Sequence, residues 1–329
     1  MGTQETKKQH WVPQTYLSKF GKKGNTKEIQ IYAIDKELKK NCFLTNITNI
    51  CAENNLYTLT GETVEQRQLI ENFYGDNFDN KYNAFYALLT DPTVKSINSE
   101  QSKLIISIAI TLLFRNPLFK GYLIQQKKNE FLQSATLAKI KKYDQFEFGG
   151  DIYKVAESDQ GFLDYLNKKN EIMIISQVAQ ALRLISIRQF DQIHIIKIDD
   201  HEHSLLTCDH PIVLYNRNSK ITSPFDINSE IKLPLDPSHN LYIYAHDETT
   251  KYNYITRYNH KGVLSKREML TSNREQQKWA RRFVLGHKYH IETFQRFMSN
   301  QDNLFSESEN EELNKIDARF NSNYKNYFL

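Results

Sequence analysis

The sequence predicts an α+β fold, a mostly helical body with an antiparallel β-sheet. The chain of 329 residues holds only 11 Gly and 7 Pro, too few for the many tight turns of an all-β sandwich. Between residues 62 and 188 apolar residues recur at intervals of three and four, as they do in amphipathic helices. Beyond residue 190 they come in short runs separated by polar or Pro-containing turns, which is typical of antiparallel strands.

The first elements are expected to be short. An extended approach to Pro13 leads into one or two helical turns that end near Phe20. The alternating segment 29–34 (IQIYAI) predicts a strand, and 42–44 and 55–59 predict two shorter ones. A small antiparallel element is therefore expected before residue 60.

Long helices are expected in the middle of the chain. The helix over 62–89 carries an apolar stripe, and the region around Gly75 is where an interruption is expected. Asn98 or Ser99 caps the next helix, whose part 104–114 is apolar nearly all round, so that it should cross the centre of the fold. Further helices are predicted over 120–142 and 162–188, with a turn at 146–151 (FEFGGD) between them.

The last third of the chain predicts strands first and helices afterwards. The expected strands are 193–198, 204–208, 211–215, 229–233 and 241–245. The segment 273–284 then predicts an amphipathic helix with Trp279 and Phe283 facing the core, and 287–298 predicts another helix.

The expected domain organisation is a single α+β domain over 1–298, because no linker rich in Pro, Gly or Ser divides it. Two tightly packed halves, 1–190 and 191–298, are the alternative. Residues 299–329 begin acidic (SESENEE) and end aromatic (ARFNSNYKNYFL), so a tail or a peripheral helix is expected there.

Composition excludes few functions. The net charge of +4 is mild for an obligate nucleic-acid binder, yet it allows a local basic face. Three scattered cysteines, Cys42, Cys51 and Cys208, argue against a disulfide framework and favour the cytoplasm. The longest apolar run, 104–114, is too short for a membrane span, so no membrane association is expected. The sequence indicates no oligomeric state.

The segment 207–211 (TCDHP) places an acid and an imidazole between two apolar runs. Pro211 fixes its own backbone and biases His210 toward an extended conformation, so that Asp209 and His210 are expected at a strand border. A stiff turn with two titratable groups is a candidate for chemistry. The alternative is that Asp209 caps the turn through hydrogen bonds to the backbone while His210 points to water.

Other segments are candidates for binding or for metal coordination. His201 and His203 at H-x-H spacing would share one strand face, as metal ligands do. The lysine-rich N-terminal segment, interleaved with Trp11 and Tyr16, suits phosphate contact with base stacking, although a solvated lysine face is the alternative. The residues expected to contact such a ligand are Gln14, Lys19, Asn273 and Arg281, the last belonging to a second basic patch with Arg274, Lys278 and Arg282.

No glycine-rich phosphate loop, H-E-x-x-H or C-x-x-C occurs, so no nucleotide cofactor is predicted. Arg115 follows the central apolar helix and must find an anionic or carbonyl partner there; a structural salt bridge would satisfy it as well as a substrate would.

Several separated motifs occur in an order that resembles one bacterial family, domain of unknown function 4238, over most of residues 8–286. The motifs are H-x-V-P-Q-x-Y-L-x-x-F (10–20), NICAENNLYTL (49–59), FRNP (114–117), TCDHPIVLYN (207–216), PLDP (234–237), and Asn273 with ARRF (280–283). His210 stands where the family usually has Asn, which puts in doubt any role there that needs an amide, and Asp79 stands where Glu is usual.

The resemblance implies an intracellular bacterial or phage-related protein and supplies no established reaction. It also implies that five residues far apart in sequence belong to one site: His10, Asp79, Arg115, Asp209 and Asn273.

Two functional hypotheses follow. In the first, the chain is a metal-dependent phosphoester hydrolase, most plausibly a nuclease in phage defence. Asp79 and Asp209 would bind Mg²⁺ or Mn²⁺, His10 would act as general base beside His210, and Arg115 would stabilise charge on a phosphoryl oxygen. In the second, the chain is a non-enzymatic sensor or interaction module, and the same polar residues form a buried structural network.

Overall fold

A computed structural model describes residues 5–24, 27–37, 42–200, 202–216, 223–246, 253–299 and 306–323. The helices are α1 (Gln14–Leu17), α2 (Val64–Arg67), α3 (Leu69–Asn77), α4 (Tyr82–Thr90), α5 (Ser99–Phe114), α6 (Pro117–Ile140), α7 (Ser158–Arg188), α8 (Val263–Trp279), α9 (Lys288–Ser299) and α10 (Glu307–Asn323). The strands are β1 (Lys8–His10), β2 (Lys22–Lys23), β3 (Ile29–Asp35), β4 (Phe43–Asn46), β5 (Ala52–Asn54), β6 (Gln145–Phe148), β7 (Asp151–Lys154), β8 (Gln192–Ile198), β9 (Thr207–Cys208), β10 (Val213–Tyr215), β11 (Glu230–Pro234), β12 (His239–Tyr244), β13 (Ile255–His260) and β14 (Phe283–Gly286).

Within the described residues the strands form two five-stranded sheets and two strand pairs. Sheet 1 has the order β10-β11-β12-β8-β13, and its neighbours are antiparallel except for β13, which runs parallel to β8. Sheet 2 has the order β2-β3-β14-β9, with β4 also paired to β3, and all its pairs are antiparallel. The α+β fold that the sequence predicts is confirmed.

The helix α5 crosses the centre of the fold, as its apolar sequence predicts. Asn98 caps it through a capping box with Gln101, and residues 105–114 are all buried. Its side chains belong to the main core cluster, which also includes Ile193, Ile195, Leu241 and Ile243 from one face of sheet 1. The main core therefore lies between sheet 1 and α5.

Two smaller clusters complete the interior. One lies among sheet 2, α8, α9 and α10 and contains Trp279, Leu313 and Ile316. The other lies at the end of α6 and α7 farthest from the sheets, where Phe131 contacts the rings of the hairpin β6–β7. An aromatic cluster thus packs the hairpin β6–β7 against this end of α6 and α7.

The structure corrects several predicted boundaries. The interruption expected around Gly75 in the helix of 62–89 comes two residues later, since α3 ends at Asn77 and Asp79–Lys81 form a 3-10 turn; a further break at Gln68, which was not predicted, separates α2 from α3. The expected turn at 146–151 is part of the hairpin β6–β7, because Gly149 and Gly150 adopt positive φ between two short strands. Residues 55–59 are not a strand, since Asn55 leaves the extended region at φ 57° and ends β5.

The prediction of one helix over 273–284 is also wrong. The helix α8 begins ten residues earlier and ends at Trp279, after which Ala280 is extended (ψ 131°) and Phe283 starts β14. The strand β13 was not predicted from the sequence. The end of α8 matters for the site, because the N–H groups of residues 281–283 bind the carboxylate of Asp209.

Taken one at a time, no helix in the described part of the chain is both long and apolar enough to cross a membrane. The pair Ser99–Phe114 and Pro117–Ile140 passes that test only jointly, by length and composition, with a bend of 62° between the two helices.

Candidate functional site

Arg115 is the centre of one polar cluster. The last turn of the buried helix α5 places its guanidinium inside the protein, where only 1% of its side chain is exposed. Nη1 donates to Oδ1 of Asp79 at 2.7 Å, and Nη2 donates to the main-chain carbonyl of His10 at 2.7 Å. The guanidinium also lies over the ring of Tyr74, 4.5 Å from its centroid. Arg115 thus ties three segments together.

Two carboxylates lie near Arg115, one at the border with solvent and one buried. The side chain of Asp79 is 26% exposed, so that the ion pair with Arg115 borders solvent. Glu71 lies on α3, and its Oε2 is buried without a hydrogen-bond partner in the described part of the chain. Burial raises the pKa of Glu71 to about 7, and nearby Asp79 adds to this rise while Arg115 opposes it. Sequence analysis had not assigned a role to Glu71.

His10 contributes to this cluster mainly through its backbone. Its carbonyl accepts the bond from Arg115, and its strand β1 pairs with β5. Burial is the main reason that the pKa of His10 lies below its ordinary value of 6.5, and the charge of Arg115 lowers it further. Its Nε2 is buried, and no group among the described residues bonds to it.

Asp209 is the centre of a second cluster. Its side chain is buried, and its two carboxylate oxygens accept the N–H groups of Arg281, Arg282 and Phe283 at 2.9, 2.8 and 3.1 Å. These are the N–H groups where the chain leaves α8 and enters β14. Burial raises the pKa of Asp209 to about 6, although the three N–H groups act in the opposite direction. The carboxylate therefore holds a backbone turn in place.

His210 is fully buried beside this turn. Its ring stacks on Trp279, with the ring centroids 4.9 Å apart and an interplanar angle of 19°. Neither ring nitrogen has a hydrogen-bond partner among the described residues, and burial lowers its pKa to about 3. The imidazole is thus neutral at physiological pH and packs as an aromatic ring.

The helix α8 holds the TCDHP segment from the other side. Asn273 accepts the N–H of Leu206 at 2.7 Å and donates to the carbonyl of Ser204 at 2.9 Å. One turn later Gln276 donates to the carbonyl of Pro211 at 2.8 Å. Both amides replace strand hydrogen bonds that an irregular backbone cannot make for itself.

The two clusters meet at one atom, the main-chain carbonyl oxygen of Asp209. It accepts the indole N–H of Trp11 at 2.8 Å and the side-chain amide of Asn116 at 2.9 Å. Trp11 follows His10, and Asn116 follows Arg115. The motifs around His10, Arg115 and Asp209 are therefore neighbours in space, connected through main-chain atoms, with Asp79 bonded at one end and Asn273 packed at the other.

The expected binding residues lie apart from one another. Gln14 is exposed at the start of α1. Lys19 bonds to Asn83 at 2.9 Å and lies 4.3 Å from the centroid of the Tyr86 ring. Arg281 reaches Glu53 at 3.5 Å. Trp11 and Tyr16 are buried and their polar atoms are bonded, so neither can stack on a base as the N-terminal segment had suggested.

The described residues do not form a predefined metal centre. His201 lies outside the described residues, and His203 bonds to Asp200 at 2.8 Å away from any strand. In the part of the chain that is described, no three His, Cys, Asp or Glu side chains converge as ligands. Asp209 does not suit a metal, since three N–H groups already point at its oxygens.

One cluster gave no functional signal in the sequence beyond the PLDP motif. Asp236 accepts the Tyr86 hydroxyl at 2.6 Å and lies 2.9 Å from Nδ1 of His239. Burial alone would raise the pKa of Asp236, but the bonds from His239 and Tyr86 keep it below 3.8. Asp236 also accepts the N–H groups of Ser238 and His239, so it shapes the β11–β12 turn and fastens it to α4. The spacing Asp-x-x-His would have indicated this contact.

Comparisons with known proteins place these motifs in a family context. A family model described as "Protein of unknown function (DUF4238)" matches residues 8–290, which include both clusters and exclude α10. No curated protein and no solved structure matches the chain.

Proposed function

The chain belongs to the family described as protein of unknown function (DUF4238), and from that premise we propose that it is a non-enzymatic sensor or interaction module whose motif side chains form a structural network. The motifs then serve to hold the segments of the fold together, and binding takes place on surfaces that this network supports.

One observation carries the proposal: the side chains of the motifs are hydrogen-bonded to backbone atoms. Asp209 binds three N–H groups, Asn273 binds the carbonyl of Ser204 and the N–H of Leu206 just before the TCDHP turn, and Arg115 binds the carbonyl of His10. All three residues are at most 1% exposed. A group that must bind substrate needs a polar atom available to it. The carboxylate oxygens of Asp209, the amide of Asn273 and both Nη atoms of Arg115 already have partners, and of these three side chains only Nε of Arg115 lacks one among the described residues.

The first test replaces Asp209 by Ala. Three backbone N–H groups would lose their acceptor inside the protein, and an unsatisfied buried donor costs about 1–3 kcal/mol. We expect a thermal midpoint lower by several degrees. Glu147→Ala, which removes an exposed carboxylate from β6, is the matched control and should leave the midpoint within about one degree.

The same samples decide between binding and catalysis. Purified wild-type protein should leave labelled DNA, RNA and nucleotide phosphates intact in Mg²⁺ or Mn²⁺. Turnover by the wild type that Asp209→Ala abolishes, with an unchanged thermal midpoint, would contradict the proposal and support the hydrolase.

A phosphoester hydrolase, most plausibly a nuclease, is the second candidate, and the carboxylates of Glu71 and Asp79 favour it. Both lie near Arg115; Asp79 borders solvent, and Glu71 has a buried, unpartnered oxygen within the described structure. These two groups fit a divalent cation better than Asp209 does, and such an ion would supply Lewis acidity. His10 remains the base of this candidate.

Glu71→Gln tests the second candidate with little disturbance of the fold. The amide has nearly the same shape, and the Oε2 it replaces has no partner in the described structure. A hydrolase at this place predicts a loss of turnover of 100-fold or more, on the scale of a lost catalytic acid or base. If a measured turnover is unchanged in Glu71→Gln, the candidate site is wrong.

We propose the bacterial cytoplasm as the location and nucleic acid as the partner class, with phage defence as the setting. The cysteines Cys42, Cys51 and Cys208 are all free thiols, which agrees with a reducing compartment.

A further inference from the structure

Four basic side chains of α8 form one face, called here the basic face: Lys266, Arg267, Arg274 and Lys278. Each pairs with an acid of α10. Lys266 lies 3.1 Å from Glu309, Arg267 lies 2.8 Å from Glu312, and Lys278 lies 3.4 Å from Asp317. Arg274 also binds Asp317, through both of its carboxylate oxygens. Two residues of the second basic patch of the sequence, Arg274 and Lys278, are thus paired with an acid of α10, whereas Arg281 pairs with Glu53 and Arg282 with Asp35.

The helix α10 combines two kinds of contact. Leu313 and Ile316 are buried in the cluster that α8 and α9 also line. The acids Glu309, Glu312 and Asp317 lie toward α8. The basic face belongs to the part of the chain that the family model matches, 8–290, whereas α10 follows that part. The acids are therefore supplied by an extension of the family fold.

We propose that the basic face of α8 is a binding surface for the phosphate backbone of nucleic acid, and that α10 is an acidic cover that competes for it. This inference rests on the proposed binding role and names its partner and its regulation. Where α10 lies on α8, carboxylates occupy the positions that phosphates would take.

Charge geometry supports this partner. Arg267 and Arg274 each bind a carboxylate through two nitrogens, and the same guanidinium geometry binds phosphate oxygens. From Lys266 to Lys278 the helix advances about 18 Å at 1.5 Å per residue. Phosphates of one duplex strand follow at about 3.4 Å along the axis, so the face spans about five of them.

An anionic membrane is less suited to this face. Membrane-bound helices insert large apolar side chains between their basic ones. On α8, Met269, Leu270 and Trp279 are buried in the interior and cannot insert, and the exposed Val263 and Leu264 lie in the first turn, before Lys266. From Lys266 to Lys278 the helix exposes no large apolar side chain, which matches a phosphate backbone better than a membrane.

The cover is held weakly enough to be displaced. Ion pairs near the surface are each worth about 0–1 kcal/mol, and Arg267 remains 60% exposed in its pair. Docking then depends mainly on Leu313 and Ile316. If nucleic acid binds only the form in which α10 has left α8, its apparent affinity is the intrinsic affinity multiplied by the fraction of molecules in that open form. Weakening the cover raises this fraction and should therefore strengthen binding.

The experiment compares two full-length variants with the same change in net charge. The cover variant carries Glu309→Gln, Glu312→Gln and Asp317→Asn, which removes the acids that contact α8. The control carries Glu292→Gln, Glu307→Gln and Glu311→Gln; Glu292 and Glu311 pair with lysines of their own helices. Binding of a labelled 20-nucleotide oligonucleotide is measured by fluorescence anisotropy at several salt concentrations.

We expect the cover variant to bind at least tenfold more tightly than the control at 50 mM salt. Four phosphate contacts predict a slope of log K against log salt of about −3 to −4. Adding Arg267→Gln and Arg274→Gln to the cover variant should abolish the gain. A chain that ends at Ser299 is a second way to remove the cover, and it should reproduce the gain if circular dichroism shows it folded.

Three results would overturn the inference: equal affinity of the cover and control variants, a gain that survives loss of both arginines, or a gain for vesicles with anionic lipid in place of the oligonucleotide. None of these touches the proposed role of the motif network, which depends on the thermal midpoint and turnover of Asp209→Ala. The two proposals can therefore fail separately.

Discussion

Asp209 and His210 are adjacent and buried, yet burial moves their pKa values in opposite directions. It raises the pKa of Asp209 from 3.8 to about 6 and lowers that of His210 from 6.5 to about 3. In both cases the neutral form is favoured, because the charged form has lost its water. Neighbouring residues thus give opposite pH dependences to the free energy of unfolding.

His210→Asn should expose this balance. Below pH 6.5 His210 becomes protonated in the unfolded chain but stays neutral in the native protein. The free energy of unfolding therefore decreases as the pH falls from 6.5 toward 3. Asp209 acts oppositely, since the native form binds its proton more tightly and stability falls as the pH rises from 3.8 to 6. Replacing His210 therefore removes the decrease in stability that occurs as the pH falls below 6.5, and it leaves the contribution of Asp209 unchanged.

Relative to wild type, the variant should therefore gain about 2 kcal/mol when the pH changes from 7 to 5, at 1.36 kcal/mol per unit. Urea unfolding of both proteins at pH 7 and pH 5 measures this gain in the free energy of unfolding. The loss of stacking on Trp279 lowers the stability of the variant by the same amount at both pH values. A difference that does not change with pH would mean that His210 titrates normally in the native protein.

Residue types in the sequence indicated which positions matter but not what they bind. The acid of TCDHP was weighed as a cap of its own turn, whereas it bonds to N–H groups more than seventy residues later. Such a partner is a main-chain group, which any sequence contains, so no side-chain pattern could reveal it. Glu71 stands out in the sequence only as an acid beside an apolar stripe, because its closeness to Arg115 and Asp79 exists only in the folded chain.

At the scale of elements, the sequence predicted what local periodicity determines. The helices α5 and α7 were found because their apolar positions repeat over many turns. The end of α8 was missed because Trp279 and Phe283, four residues apart, have helical spacing although the helix ends at Trp279 and a strand begins at Phe283. The strand β13 pairs in parallel with β8, about sixty residues earlier, and such pairing has no local signal.

Glycines within helices test how far the helix propensity of single residues determines the stability of these elements. Gly75 in α3 and Gly121 in α6 have no atom within 4 Å of an added Cβ. Gly75→Ala and Gly121→Ala should each stabilise the protein by about 0.5–1 kcal/mol, because Ala loses less backbone entropy in a helix. Urea unfolding would measure this gain.

Gly161 in α7 is the matched control. A Cβ there would lie 3.1 Å from the Tyr153 ring and 3.3 Å from the Phe131 ring. Crowding in the aromatic cluster should offset the gain, so that Gly161→Ala is neutral or destabilising. Equal stabilisation at all three positions would contradict the packing described at the end of α6 and α7.

At the scale of the whole molecule, the two halves of the chain share their core. Sheet 2 takes β2 and β3 from before residue 190 and β9 and β14 from after it. The main core cluster extends from Trp11 to Leu285, and the Asp209 carbonyl binds Trp11 and Asn116. Neither half therefore completes its own interior.

We accordingly expect 1–190 and 191–299, expressed separately, to lack a cooperative thermal transition. Without its partner, 1–190 would leave one face of α5 uncovered, and 191–299 would lose the hydrogen-bond donors Trp11 and Asn116 and the apolar residues that surround the TCDHP turn. Mixing the halves should restore native-like circular dichroism, because the contacts are non-covalent. A sharp transition of 191–299 alone would mean that the second half is an independent domain, and the motif network would then be an interface between two domains instead of the centre of one.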